Sequence, residues 1–275
     1  LNFFQKVSEI DTGSIPILVY EFPELDKLFL LPLGDLHWEA TNTDRRLLER
    51  KVKEIQENGY YTLLIGDLFE MYFFDSLLKG ETEYSLNEAL VALKSLFRPI
   101  ADRILAVVEG NHDRRIEKKT GFSIIQEFCN DLQIPLIKGQ GILHIRVGKY
   151  DSRGSRMFSY AGLVTHGWGG GRTKGGKANK AIALSQFWNG IDFTIIGHLH
   201  DPMAVPSAAF VYDARQTAVV RKNIRNFILS AFLNYPLYAQ RLGYPPSARI
   251  EYLLEFTGER KKGKKEIISH EREMR

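Results

Sequence analysis

Five times along this chain an apolar run of strand type ends in a cluster of glycine with Asp, Asn or His: "FLLPLGDLH", "TLLIGD", "LAVVEGNHD", "GLVTHG" and "TIIGHLH". Such runs are too short for buried helices and rich enough in Val, Ile and Leu for buried strands. Helical stretches lie among them. Residues from about Asn42 to Asn58 form a helix with Asn42, Thr43 or Asp44 as its cap and Gly59 as its stop; Ser85 and Glu88 make a capping box ahead of "ALVALKSLF"; two more helices run near Phe122 to Leu132 and Lys177 to Trp188. "IPILVYEF", "GILHIRV", "AAFVYDARQTAVVRKNIRNFILSAFL" and "ARIEYLLEF" read as further strands. The alternation predicts an α/β or α+β layered domain, without an internal repeat or a dividing linker. Residues 1–257 are expected to form one domain, and residues 258–275, "GERKKGKKEIISHEREMR", a charged and frayed tail.

Composition narrows the setting. At 275 residues, 44% hydrophobic and 25% charged, the chain can bury a sizeable core. The one cysteine, Cys129, cannot form an intrachain disulfide, which favours an intracellular location and a buried thiol. No apolar run approaches the ~18–20 residues of a membrane helix, and no leader pattern opens the chain, so no membrane partner is expected. The net charge of +4 weakly favours an anionic partner.

In layered α/β folds ligands collect beyond the carboxyl ends of strands, so the terminal residues of these runs are expected to converge. They are Asp35, His37, Asp67, Asn111, His112, His166, His198 and His200. Asp35 and His37, like His198 and His200, lie two apart, so extended backbone would point both members of a pair the same way. Imidazole with carboxylate suits Mn, Fe, Zn or Ni, whereas calcium takes oxygen alone. Five of the seven histidines fall in this set; His144 and His270 lie outside it.

The blocks "DLH", "GDLFE", "GNHD", "THG" and "GHLH", in that order across residues 30 to 201, resemble the calcineurin-like metallophosphoesterases. The resemblance implies a core of two mixed sheets packed face to face and flanked by helices, with the metal site at the carboxyl ends of the strands. It implies that Asp35, His37, Asp67 and His200 ligate one divalent ion. Asp67 bridges to a second, completed by Asn111, His166 and His198. His112 is left free of metal beside the substrate, with Asp113 orienting it. Manganese is the first expectation for the pair, with iron, zinc, nickel or magnesium as alternatives. Two cations about 3.5–4 Å apart hold a hydroxide at neutral pH and clamp phosphoryl oxygens for in-line attack on phosphorus. His112 can then give a proton or hydrogen bond to the leaving oxygen.

The protein-phosphatase branch carries an arginine after its second block and reads G-N-H-E, whereas this chain has "GDLFEM" and "GNHDRR". It is closer to the phosphodiesterase and DNA-repair-nuclease branch. The expected substrate is therefore a nucleic acid or nucleotide diester; a phosphomonoesterase and a non-catalytic scaffold are the alternatives. Arg114 and Arg115 either hold a neighbouring phosphate or form a solvated turn, and Tyr235, Tyr238, Arg241 and Tyr244 either stack on bases or pack a loop.

"GRTKGGKA", Gly171 to Ala178, has the glycines and lysine of a nucleotide-binding loop, but Ala178 stands where that loop needs a hydroxyl for magnesium. "GWGGGRTKGGKA" reads instead as an active-site loop after His166 that carries Arg172, Lys174 and Lys177 toward a phosphate-bearing substrate.

Overall fold

The structure is a computed structural model and describes residues 2–10, 13–71, 84–148, 157–171, 173–214, 216–235, 243, 245–258 and 265–275. With strands numbered along the chain, one sheet has seven of them in the order β1 (Asn2–Ile10), β2 (Gly13–Phe22), β8 (Gln140–Val147), β9 (Phe158–Thr165), β10 (Phe193–Ile196), β12 (Ala218–Ile228) and β11 (Met203–Asp213). It is mixed: β2 and β8 are parallel, as are β9, β10 and β12, while β8 and β9 are antiparallel.

The second layer has two parts. One is β14 (Ile267–Glu273), β13 (Ile250–Thr257) and β3 (Lys27–Leu30); the other is β4 (Leu33–Gly34), β5 (Thr62–Ile65), β6 (Ile104–Val108) and β7 (Leu136–Ile137). β3 and β4 are halves of one run interrupted at Pro32, which has no N–H to give. Leu30 bridges Tyr61 before the break and Leu33 pairs with Leu64 after it, so both halves run beside the same chain.

The layers meet face to face. Leu18, Tyr20, Ile145, Tyr160, Phe193 and Phe227 of the first sheet bury against Leu30, Ile65, Val108, Leu254 and Phe256 of the second. On the outer side of the second layer pack α1 (Arg45–Asn58), α2 (Leu86–Phe97) and α4 (Ile124–Leu132), and on the outer side of the first packs α5 (Lys174–Gln186). β5 and β6 are buried along their whole length, covered on both faces, which is why "TLLI" and "ILAVV" show no polar alternation.

Asp44 caps α1, its carboxylate accepting from the N–H of Leu47 at 3.1 Å, and Gly59 ends it at φ 67°. The Ser85–Glu88 box forms as expected. α5 starts three residues earlier than its apolar spacing suggested, because Thr173 accepts from the N–H of Gly176. Such a cap contributes about 1 kcal/mol and offsets the poor helix propensity of one glycine. Half of the glycine-rich stretch is thereby helix rather than loop.

The tail departs from its expected fraying. Ile267–Glu273 pairs antiparallel with β13 and buries Ile267. Among the described residues no helix is long and apolar enough to cross a membrane. Cys129 is buried in α4.

Candidate metal centre

The polar residues singled out above sit just beyond strand ends. Asp35 and His37 follow β4, Asp67 follows β5, Asn111 follows β6, His166 follows β9, and His198 and His200 follow β10. The pairs do not face the site through extended backbone. Asp35 (φ 52°), His37 (φ 47°), Asp67 (φ 48°), His198 (φ 64°) and His200 (φ 50°) are all left-handed, so each loop curls in place of continuing its strand. Side chains outside glycine adopt this region at a cost of order 1–3 kcal/mol each, tolerated where the surroundings over-determine it. Here the backbone is pinned: Asp35 N–H donates to Gly66 at 3.1 Å, His37 N–H to Asp67 at 2.9 Å, and the N–H of His198 to the Asp35 carboxylate at 2.9 Å. The glycine of "GNHD" is equally constrained, since a Cβ on Gly110 would lie 2.1 Å from both the amide nitrogen and Oδ1 of Asp67.

Three overlapping groups of potential ligand atoms result: Asp35, His37 and His200; Asp67, His166 and His198; and His37, Asp67 and His112, each group's atoms within 4.8 Å of one another. The donor chemistry fits divalent cations. His166 donates Nδ1–H to the Ile65 carbonyl at 3.0 Å, which turns Nε2 toward Asp67 Oδ2 and Asn111 Oδ1, both at 3.1 Å. His37 Nε2 is buried with no hydrogen-bond partner, an orphan that a cation would satisfy. His200 Nε2 lies 3.0 Å from Asp35 Oδ1. The overlapping triads are consistent with a dinuclear metal site, with Asp67 common to two of them.

Protonation shows the same need for positive charge. Burial lowers His37, but the carboxylates of Glu70, Asp67 and Asp35 outweigh it and lift the ring to about 9. His166 is likewise lowered by burial and raised further by Asp67, again to about 9. Burial raises Asp35, Asp67 and Glu70, and their histidine partners overcome it and hold all three below the usual carboxylate range. Protons on histidines thus stand where cations would bind.

His112 is held by a residue to which the sequence assigned no part. Its Nδ1 lies 2.9 Å from the carbonyl and 3.0 Å from the carboxylate of Glu70, the last residue of "GDLFE". Glu70 also ion-pairs with His37 Nδ1. Arg115, which can only donate, bonds His112 Nε2 at 2.8 Å and the Glu70 carbonyl at 3.0 Å, so the ring proton sits on Nδ1. Asp113 does not orient this ring. It is fully buried and accepts the N–H groups of Phe69 at 3.0 Å and Gly110 at 2.9 Å, tying the "GDLFE" loop to the "GNHD" loop. Burial and the nearby Asp67 push its carboxyl up to about 7.

The basic candidates divide. Arg114 is half exposed, with Nε 3.7 Å from Glu109. Lys177 is largely buried against Asp201 at 3.2 Å, while Lys174 is exposed and 4.0 Å from the same carboxylate. Asp201, adjacent to His200, was not foreseen. Arg172, Tyr238, Arg241 and Tyr244 lie outside the described residues. Two cavities border the ligands. One, of about 550 Å³, reaches from His198 and His200 along Gly170, Lys174, Lys177, Tyr235 and Arg249. The other, of about 350 Å³, reaches from Asn111 and His166 along Arg114, Gln140 and Trp168.

Among solved structures the chain is similar to the phosphoesterase Yfce from E. coli, at 13% identity and a TM-score of 0.42, over 88% of this chain and 99% of that one. It is similar to Vacuolar Protein Sorting 29 from Cryptosporidium parvum, at 13% identity and a TM-score of 0.34, over 90% and 100% of the two chains. It is similar also to GAP50 of the inner membrane complex of Plasmodium, at 12% identity and a TM-score of 0.42, over 91% and 90%. No curated protein matches the chain in sequence. The sequence profile of the calcineurin-like phosphoesterases matches residues 30–202, the span that contributes every ligand candidate of the dinuclear site. With its Asp and His side chains assembled at the strand ends of that span, the chain belongs to the calcineurin-like phosphoesterase family and is a metallophosphoesterase.

Proposed function

We propose that this hydrolase is a phosphodiesterase acting on nucleic acid or nucleotide diesters with two divalent cations, manganese foremost. The observation that carries the reading is the pair of cavities. One borders His198 and His200, the other borders Asn111 and His166, and they share no lining residue. A monoester presents one organic group beyond its phosphate, a diester two. Each volume lies within the range of about 300–1,000 Å³ that suits a small organic ligand.

Asp35, His37, Asp67 and His200 would hold one cation, and Asp67, Asn111, His166 and His198 the other. When bound, the pair supplies an activated water and a clamp on the phosphoryl oxygens. Asn111, as a neutral donor, leaves positive charge for the substrate. Arg115 turns from His112 to a phosphate oxygen when the diester arrives, freeing Nε2 to take up a proton from water and pass it to the departing alkoxide. Glu70 keeps the imidazole in place through Nδ1–H. Lys174 and the segment around Arg172 meet further phosphates of a polymer.

The test is hydrolysis of bis-p-nitrophenyl phosphate, p-nitrophenyl phosphate, and labelled single- and double-stranded DNA and RNA, each with Mn²⁺. Cleavage of the diester and of at least one polymer above the monoester supports the reading. Preference for the monoester makes the protein a phosphatase, and activity on none makes it a scaffold.

A further inference from the structure

Trp168 is the one aromatic side chain in the glycine-rich loop, two residues after the ligand candidate His166, and it stands 56% exposed, whereas Asp35, His37, Asp67 and His166 are buried. Gly167 (φ 91°) and Gly169 (φ 67°) flank it in backbone that favours glycine, so the loop turns on both sides of the indole. Gln140 pairs with Thr165 across β8 and β9, and both line the cavity together with Trp168. Asn111, His166 and Arg114 line it as well, Arg114 with its Nε 3.7 Å from the lining carboxylate of Glu109.

The exposed indole offers the cavity a flat apolar face that a planar ligand would cover. The neighbours say what kind. Arg114 supplies a cation for phosphate or for the π-face of a base, and the Gln140 amide can both donate and accept at a base edge. A nucleobase is the flat, polar-edged ring that matches all three. We propose that this cavity is a nucleobase subsite in which Trp168 stacks on the base attached to the scissile phosphate. The inference rests on the diesterase reading and deepens it by naming where one nucleoside lies. Stacking serves every base, since each has a π-face, so the subsite selects for nucleosides without selecting sequence.

The test compares thymidine 5′-(p-nitrophenyl phosphate) with methyl p-nitrophenyl phosphate, diesters with the same leaving group and different second substituents. Wild type should favour the nucleoside ester by roughly tenfold or more in kcat/KM, as base stacking on an aromatic residue implies. Trp168→Ala should collapse that ratio toward one, mainly through KM, and Trp168→Phe should restore most of it. Independently, AMP added to metal-free protein should quench a tryptophan signal that is lost in Trp168→Phe, leaving Trp38 and Trp188 unaffected. An unchanged ratio in Trp168→Ala, or the absence of AMP quenching, overturns the subsite. If wild type hydrolyses neither ester, the diesterase reading falls and the quenching arm alone decides whether Trp168 binds a base.

Discussion

Glu70 faces two histidines at once: its carboxylate lies 3.0 Å from His112 Nδ1 and ion-pairs with His37 Nδ1. One side chain therefore holds both the ring of a candidate metal ligand and the ring proposed to face the substrate. Glu70→Gln keeps the shape but removes the charge that raises His37 and lies beside His112. Outer partners of metal ligands usually matter ~10–100-fold, so Mn²⁺ affinity measured by titration should fall by about that factor.

In the proposed mechanism His112 serves proton transfer and not metal binding. Its replacement by Asn should lower kcat by roughly 10²–10⁴, with a smaller loss for p-nitrophenyl leaving groups that need little protonation. Metal content measured by elemental analysis should stay near two ions per chain. An emptied site would place His112 among the ligands, as its grouping with His37 and Asp67 permits.

Asp113 is expected to act on structure rather than on catalysis alone. In Asp113→Ala the buried N–H groups of Phe69 and Gly110 lose their acceptor, at about 1–3 kcal/mol for each. Thermal melting should drop by many degrees and metal occupancy with it. Asp113→Asn retains one carbonyl acceptor and should recover part of both.

Acidity should affect the metal-free and metal-loaded protein in opposite senses. His37 and His166 sit at about 9 in the folded chain, above their ordinary 6.5, so their contribution to stability is full below pH 6.5 and lost as pH rises toward 9. Asp35, Asp67 and Glu70 are lowered, so theirs is present above the ordinary carboxylate range and lost as pH falls through it. The EDTA-treated protein should therefore be most stable near pH 5–6.5 and weaken toward pH 9. Cations must displace the histidine protons, so Mn²⁺ should release protons on binding at pH 7 and raise the melting temperature more at pH 9 than at pH 6. Differential scanning calorimetry across pH, with and without Mn²⁺, reads both.

Two lysines of the same helix turn should behave differently. Lys177 neutralises buried Asp201, so Lys177→Ala should destabilise the fold by roughly 1–3 kcal/mol in chemical denaturation. Lys174 is exposed and its pairing is long, so Lys174→Ala should leave stability within about 1 kcal/mol. If it meets a polymer phosphate, the salt dependence of oligonucleotide binding should flatten by about one unit of slope.

The candidate ligands were legible in the sequence because strand ends carry them: an apolar run followed by Gly with Asp, Asn or His marks a strand and its exit loop whatever lies between. The helix caps were legible for a similar reason, since a cap bonds to backbone three residues away: Ser85 outright, and Asp44 as one of three adjacent candidates with Asn42 and Thr43. Long-range choices were not. Whether Asp113 or Glu70 holds His112 depends on how the loops after β5 and β6 cross, and adjacency in sequence favoured the wrong carboxylate. The left-handed turns at Asp35, His37 and His198 likewise depend on hydrogen bonds with loop residues far along the chain, so the extended backbone that a period-two argument assumed is not what gathers these residues. The strand at Ile267–Glu273 exists because β13 offers it an edge, which no local propensity encodes. The sequence alone determined which side chains stand at the ends of which strands, since that follows from local hydrophobic pattern. Only the tertiary structure decided which of them touch, because contact across loops is set by the packing of two sheets and not by distance along the chain.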